Sequence, residues 1–172
     1  MIKCQKISKG KFWFTLMLSM IFAGLANATT MFFSGPSGGY GGNYFKDPVS
    51  IEYQNLIEIR VRSGAYIDSI QTVYNDRMGQ GRYVKSQNGG NGGQLSVFKL
   101  QPGEYITRIS GKYGAFVDSL TVYTSKGRQK RWGGTGGNAH YNYVAPPGTK
   151  IHGFFGRSGK FVDAIGVIYK IR

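Results

Sequence analysis

Three aspartates share repeated surroundings. Gly64-Ala65-Tyr66-Ile67-Asp68, Gly114-Ala115-Phe116-Val117-Asp118 and Gly159-Lys160-Phe161-Val162-Asp163 follow one pattern, Gly-x-x-x-Asp. They hold three of the chain's 8 acidic residues. An ionised carboxylate only accepts hydrogen bonds. In a tight loop it suits two tasks. It can cap the turn by accepting local backbone N–H bonds. It can also accept hydroxyls of a ligand, and charge makes such bonds about twice as strong as neutral ones. Threefold copying preserves scaffold and site alike, so both tasks stay open.

A glycine cluster precedes each aspartate pattern: Gly38-Gly39-Tyr40-Gly41-Gly42, Gly89-Gly90-Asn91-Gly92-Gly93 and Gly133-Gly134-Thr135-Gly136-Gly137. Gly38 to Gly64 and Gly133 to Gly159 are 26 residues apart, and Gly89 to Gly114 is 25. A flexible linker does not keep such spacing. A loop without side chains leaves its backbone N–H groups open to a ligand. A phosphate cradle is a weak reading, because no Gly-x-x-x-x-Gly-Lys-Ser/Thr follows any cluster. Backbone donors beside a carboxylate acceptor suit a neutral polyol, whose hydroxyls both donate and accept. Tyr66, Phe116 and Phe161 lie within the aspartate loops and Tyr40 within the first cluster. Stacking on a pyranose face and packing within the hairpins are both open to them.

Strands must position these loops. Ile57–Val61, Ile106–Ile109 and Ile151–Phe154 precede the three aspartate patterns, and Ser69–Tyr74, Ser119–Tyr123 and Ala164–Tyr169 follow them. All alternate with period two and are rich in β-branched and aromatic residues. Each Gly-x-x-x-Asp is then a hairpin connection, its glycine expected at positive φ. Pro102-Gly103 and Pro146-Pro147-Gly148 read as turns at equivalent places. The first unit has Glu52 to Leu56 there and is the least regular copy. No segment keeps a helical period. The 27 glycines also argue against a helical bundle, since each costs about 1 kcal/mol inside a helix. Three β units in 172 residues make one closed body with pseudo-threefold symmetry. A β-trefoil and a prism of three small sheets both fit. That symmetry would set the three aspartates far apart, on separate corners.

The ends and the charge add context. Lys3, Lys6, Lys9 and Lys11 precede an apolar run, Phe12 to Leu25, and Ala26-Asn27-Ala28 is a small-x-small cleavage site. This is the pattern of a secretory signal peptide over residues 1–28. The mature chain would begin at Thr29, lose Cys4 and hold no disulfide. It is expected to be secreted, extracellular or periplasmic. Without those four lysines the formal charge falls from +14 to +10. A content of 41% hydrophobic residues excludes a disordered chain. Lys126, Arg128, Lys130 and Arg131 cluster before the third glycine loop. They read as a solvated edge or as a surface for sulfated glycans, lipopolysaccharide or acidic lipids. No nucleic acid is expected. The two histidines, His140 and His152, lie in no triad or metal-spaced motif, so an enzyme is disfavoured. No cofactor or metal is implied. One carboxylate per loop falls short of the roughly six to eight oxygens calcium takes.

On these residues the chain resembles the jacalin-related lectins. The segment Gly156-Arg157-Ser158-Gly159-Lys160-Phe161-Val162-Asp163-Ala164-Ile165-Gly166 carries the likeness most strongly. Gly41-Gly42 with Phe45-x-Asp47, Pro102-Gly103-Glu104-x-Ile106 and Thr124-Ser125-Lys126-Gly127 support it. The resemblance covers residues 29–172. It implies an all-β fold, β-prism I, with three four-stranded antiparallel sheets, and carbohydrate binding without catalysis. It places the principal site at Gly159, Lys160, Phe161 and Asp163, with Gly41 and Gly42. Cyclic extension adds two sites. Gly64, Ala65, Tyr66 and Asp68 would face the cluster at 89–93, with Gly89 and Gly90 singled out. Gly114, Ala115, Phe116 and Asp118 would face the cluster at 133–137, with Gly133 and Gly134 singled out. The uncut first glycine loop resembles the branch that prefers mannose and glucose. Lys160 departs from the pattern and reads either as a cation beside the sugar or as a solvated loop lysine. A homodimer is compatible with this reading.

Overall fold

The computed structural model describes residues 30–48, 55–76 and 78–172. The signal segment and residues 52–54 of the irregular first unit lie outside them. The described residues form thirteen strands and no helix. In chain order these are β1 (Met31–Gly38), β2 (Asn43–Lys46), β3 (Asn55–Ser63), β4 (Ile67–Asn75), β5 (Arg82–Val84), β6 (Asn88–Gly89) and β7 (Gln94–Lys99). Then follow β8 (Ile106–Tyr113), β9 (Ser119–Thr124), β10 (Gln129–Gly133), β11 (Ala139–Val144), β12 (Thr149–Ser158) and β13 (Val162–Ile171).

The strands group into three antiparallel sheets. The first runs β1-β13-β12-β2, so the first and last described strands close it together. In the second, β5 and β6 act as one interrupted strand on β4, followed by β3 and β7. The third runs β10-β9-β8-β11. Among the described residues, only the Ile151–Ile106 pair joins the first and third sheets. This is a prism of three four-stranded sheets, not a trefoil. The sequence repeat is shifted relative to the sheets, because the first glycine cluster belongs with the last hairpin.

The hairpins read from periodicity form the centre of each sheet: β3–β4, β8–β9 and β12–β13. Their registers slip at equivalent places, around Ile57, Thr107 and His152. A bulge increases local twist, which helps each sheet wrap the core. Ile59, Val61, Ile67 and Ile70 of the second sheet meet Ile109, Leu120 and Val122 of the third and Phe154, Ile165 and Val167 of the first in one apolar cluster. The Pro102-Gly103 and Pro146-Pro147-Gly148 turns form as expected, with Gly103 and Gly148 at φ near +73 and +79°.

A buried polar cluster ties the first sheet to the second. The Asp47 carboxylate accepts the Thr72 hydroxyl at 2.9 Å and the Phe154 N–H at 2.9 Å. The Tyr74 hydroxyl donates to the His152 carbonyl at 3.0 Å. Burial pushes the Asp47 carboxyl up to about 6, against the hydrogen bonds from Phe154 and Thr72. Burial pushes the His152 imidazole down to about 3, helped by Lys170 and Lys150. The imidazole is therefore neutral and packs on the Tyr74 ring.

Candidate functional site

Each aspartate loop turns in the same way. The N–H groups of Gly64, Gly114 and Gly159 donate to the carbonyls of Tyr66, Phe116 and Phe161, at 2.9 to 3.0 Å. These three glycines are absent from the positive-φ positions, which corrects the expectation of a left-handed hairpin glycine. Their role lies in what they leave open. A Cβ on Gly64 or Gly114 would meet only the carboxylate four residues on, at 3.9 Å, and one on Gly159 nothing closer than 3.5 Å. The lack of a side chain keeps the space over the aspartate clear.

The three loops converge at one end of the prism. This corrects the expectation of separate corners. Ile67 N–H donates to the Val117 carbonyl at 2.9 Å, and Val117 N–H to the Val162 carbonyl at 2.8 Å. The rings of Tyr66, Phe116 and Phe161 form a triangle with centroids 5.0 to 5.5 Å apart. Tyr66 remains 37% exposed at its rim. Tyr40, by contrast, is 96% exposed. The Lys160 ammonium lies 5.7 Å from the Phe161 ring centre.

The glycine clusters divide into two pairs with different work. The first pair is structural. Gly39, Gly90 and Gly134 donate their N–H groups to the carbonyls of Asp163, Asp68 and Asp118 at 2.8 to 3.0 Å. A Cβ on any of them would strike a neighbouring loop's backbone, at Ala115, Lys160 and Ala65 respectively. A Cβ on Gly38, Gly89 or Gly133 would likewise strike Asp163, Asp68 or Asp118 backbone. The N–H groups of Gly39, Gly90 and Gly134 are therefore engaged, not open to a ligand. The second pair flanks the carboxylates. Gly41 and Gly42 lie against Asp163, Gly92 and Gly93 against Asp68, Gly136 and Gly137 against Asp118. The clusters at 89–93 and 133–137 do face Asp68 and Asp118 as expected, but through Gly92, Gly93, Gly136 and Gly137 rather than the singled-out Gly89, Gly90, Gly133 and Gly134. Spacing gives no means of telling the two pairs apart, because both read Gly-Gly.

The aspartates are 5 to 7% exposed. Asp163 Oδ2 is buried and has no hydrogen-bond partner among the described residues. At Asp118 the loops enclose an open recess of about 370 Å³, lined by Tyr66, Gly114, Ala115, Phe116, Gly137 and Asn138. Tyr66 comes from the neighbouring aspartate loop, so one site draws on two of them.

One set of residues was missed in the sequence. The Arg157 guanidinium donates to the carbonyls of Gly41 and Gly42 at 2.8 and 2.7 Å. Arg62 donates to Asn91 and Gly93 at 3.2 and 3.3 Å. Lys112 donates to Thr135 at 3.3 Å. Each cation stands two residues before the glycine of a Gly-x-x-x-Asp pattern. That regular spacing was the available signal.

The basic run is less free than its charge suggests. Arg128 pairs with Glu104 at 2.6 Å and lies over the Phe98 ring. Arg131 donates to the carbonyls of Gly133 and Gly134. Among the described residues, no group of three or more His, Cys, Asp or Glu side chains is placed to hold a metal.

Comparison with known proteins gives a consistent result. Residues 34–168 match the model of the Jacalin-like lectin domain. Horcolin of Hordeum vulgare subsp. vulgare is 37% identical over 139 residues, covering 77% of this chain and 92% of its own. Zymogen granule membrane protein 16 of Homo sapiens is 31% identical over 140 residues, 81% of this chain and 80% of its own. A mannose-binding jacalin-related lectin from Ananas comosus superposes with a TM-score of 0.73 at 28% identity, covering 83% of this chain and 99% of that one. With its three-sheet prism, its repeated aspartate and glycine loops and these matches, the chain belongs to the family of jacalin-like lectins.

Proposed function

We propose that the protein is a secreted lectin that binds mannose- and glucose-type glycans at three sites on one end of the prism. Carbohydrate binding without catalysis is the property of its family. The observation that carries the sites is Asp163 Oδ2, a buried carboxylate oxygen without a partner, beside a glycine pair that presents no side chains. Buried acceptors are rarely left unsatisfied. A sugar hydroxyl would supply the missing donor through a charge-assisted bond. The same carboxylate and glycine pairing recurs at Asp68 and Asp118. A mannose ligand follows the named property of the Ananas comosus lectin. Secretion follows the signal-like N-terminus, with Thr29 as the expected first residue of the exported chain.

A second reading assigns binding to the basic surface, with sulfated glycans or lipopolysaccharide as ligands. The pairing of Arg128 with Glu104 and of Arg131 with its own loop leaves Lys126 and Lys130 as its main support. A glycan array at low and moderate salt separates the readings. Screening shortens the reach of exposed charges to about 8 Å at physiological salt, while buried hydrogen bonds to hydroxyls change little. Mannoside binding that persists in salt supports the aspartate sites. Binding confined to anionic glycans and lost in salt supports the basic surface.

A further inference from the structure

The cations behind the glycine loops differ among the three sites. Arg157 holds two carbonyls of the first loop at 2.7 and 2.8 Å. Arg62 holds two of the second, at 3.2 and 3.3 Å. Lys112 makes one contact to the third, at 3.3 Å. Arg131 also reaches the third loop, but at Gly133 and Gly134, outside the pair that flanks Asp118.

We infer that Arg157, Arg62 and Lys112 are positioning residues that order the glycine pairs before sugar arrives, and that their differences grade the three sites. This rests on the reading of the aspartate loops as sugar sites. A glycine-rich loop has few side chains to pin it, and its glycines lose more conformational freedom on ordering than other residues. In the second loop Gln87 adds a hold on the Gly90 carbonyl and the Asn91 side chain at 2.9 and 2.8 Å, away from the Gly92-Gly93 pair. A peptide unit is planar and trans, so a carbonyl held by a cation turns the following N–H to the opposite face of the loop. Holding the Gly41 carbonyl thus fixes the Gly42 N–H, and holding the Thr135 carbonyl fixes the Gly136 N–H. The Arg157 fork fixes two carbonyls through Nε and Nη2, Arg62 shares one Nη1 between its two, and a lysine is a mobile point charge. A loop already ordered gives up less entropy when ligand binds. The Asp163 site is therefore the tightest, Asp68 follows, and Asp118 is the weakest.

The test is a titration of 15N-labelled protein with methyl α-mannopyranoside, read at the amides of Gly42, Gly93 and Gly137. Affinities should fall in the order given. Arg157→Met should weaken the Asp163 site by about tenfold and leave the other two unchanged, with Arg157→Lys recovering part of the loss. Lys112→Arg should tighten the Asp118 site severalfold. Amide order parameters of Gly41 and Gly42 in sugar-free Arg157→Met should drop below those of the unmutated protein. Equal weakening of all three sites by Arg157→Met, or unchanged affinity and order at Gly41 and Gly42, would overturn the inference. If the unmutated protein shows no mannoside shift at any glycine, the sugar-site reading has failed. The sugar-free order parameters then decide separately whether the cations order the loops.

Discussion

Asp163 stands where a side chain on Gly42 would have to go. Its Oδ2 lies 2.5 Å from the position a Gly42 Cβ would take, and Gly42 has φ +61°. Asp68 and Gly93 repeat the relationship at 2.5 Å, with φ +61°, and Asp118 and Gly137 at 2.8 Å, with φ +78°. The glycine answers two demands at once, a left-handed backbone and room for a carboxylate.

Gly42→Ala should therefore lower stability by more than the left-handed penalty of about 1–2 kcal/mol for an L residue, because its Cβ would also strike the Ser158 backbone. It should also abolish sugar binding at the Asp163 site, because the new methyl displaces the carboxylate. Gly159→Ala should keep stability within about 0.5 kcal/mol, since its Cβ meets only ordinary contacts. Its effect should be confined to binding, by narrowing the mouth over Asp163. Thermal melting and mannoside titration of both variants check the contrast.

Mannoside binding should survive EDTA. Each site offers one carboxylate, and calcium takes about six to eight oxygens. Titration before and after chelation gives the answer, and loss of binding after chelation would contradict the site.

Much of this arrangement was legible in the sequence. The alternating runs around Asp68, Asp118 and Asp163 marked the central hairpins through their β-branched and aromatic residues, which suit a pleated strand, although β4 and β13 are buried on both faces. The repeat implied threefold closure. The second half of each glycine cluster could not be distinguished from the first, since the difference lies in which backbone each approaches across the fold. Arg62, Lys112 and Arg157 were hidden among strand residues. Their partners are 23 to 116 positions away in the chain. Convergence of Tyr66, Phe116 and Phe161 on one another depends on the tilt of three sheets, which periodicity does not encode.

The Asp47–His152 cluster should give an unusual pH profile. The Asp47 carboxyl is raised from 3.8 to about 6 by burial. Between those values the folded state keeps a proton that the unfolded state has lost, so this group makes stability fall as pH rises. The His152 imidazole is lowered from 6.5 to about 3 by burial, then by Lys170 and Lys150. Between those values the unfolded state binds a proton that the folded state refuses, so this group makes stability rise with pH. The two oppose each other between about pH 4 and 6, each with a slope of at most about 1.4 kcal/mol per pH unit. Asp47→Asn should leave the His152 slope alone, with stability climbing more steeply from about pH 4.5 to 6. Denaturant unfolding at three pH values measures it. An unchanged profile would contradict the account of this cluster.

Glu104 anchors the turn at the start of β8. Burial pushes its carboxyl up, but the Gln101 N–H, the Thr124 hydroxyl and Arg128 together outweigh that and hold it below 4.5. The three donors lie at 2.5 to 2.6 Å. Glu104→Gln should cost about 2 kcal/mol of stability, because an amide NH₂ then faces donors and the Arg128 bond loses its charge partner. The half-exposed arginine tempers the loss. The same carboxylate makes stability fall as pH drops below its ordinary 4.5, and that acid limb should weaken in Glu104→Gln. Unfolding curves of the two proteins at neutral and acid pH provide the check.

The central claim is that each carboxylate and its glycine pair form one sugar site. Calorimetric titration of methyl α-mannopyranoside into the unmutated protein and into Asp68→Asn, Asp118→Asn and Asp163→Asn tests it most directly. Single sites should bind at about millimolar strength, roughly −4 kcal/mol each. A lost charge-assisted bond is worth about 1.5–3 kcal/mol, enough to silence a site of that strength. The account predicts three sugars for the unmutated chain and two for each variant, with melting temperatures little changed. An Asp163→Asn protein that still binds three sugars, or one that only melts earlier, would contradict it.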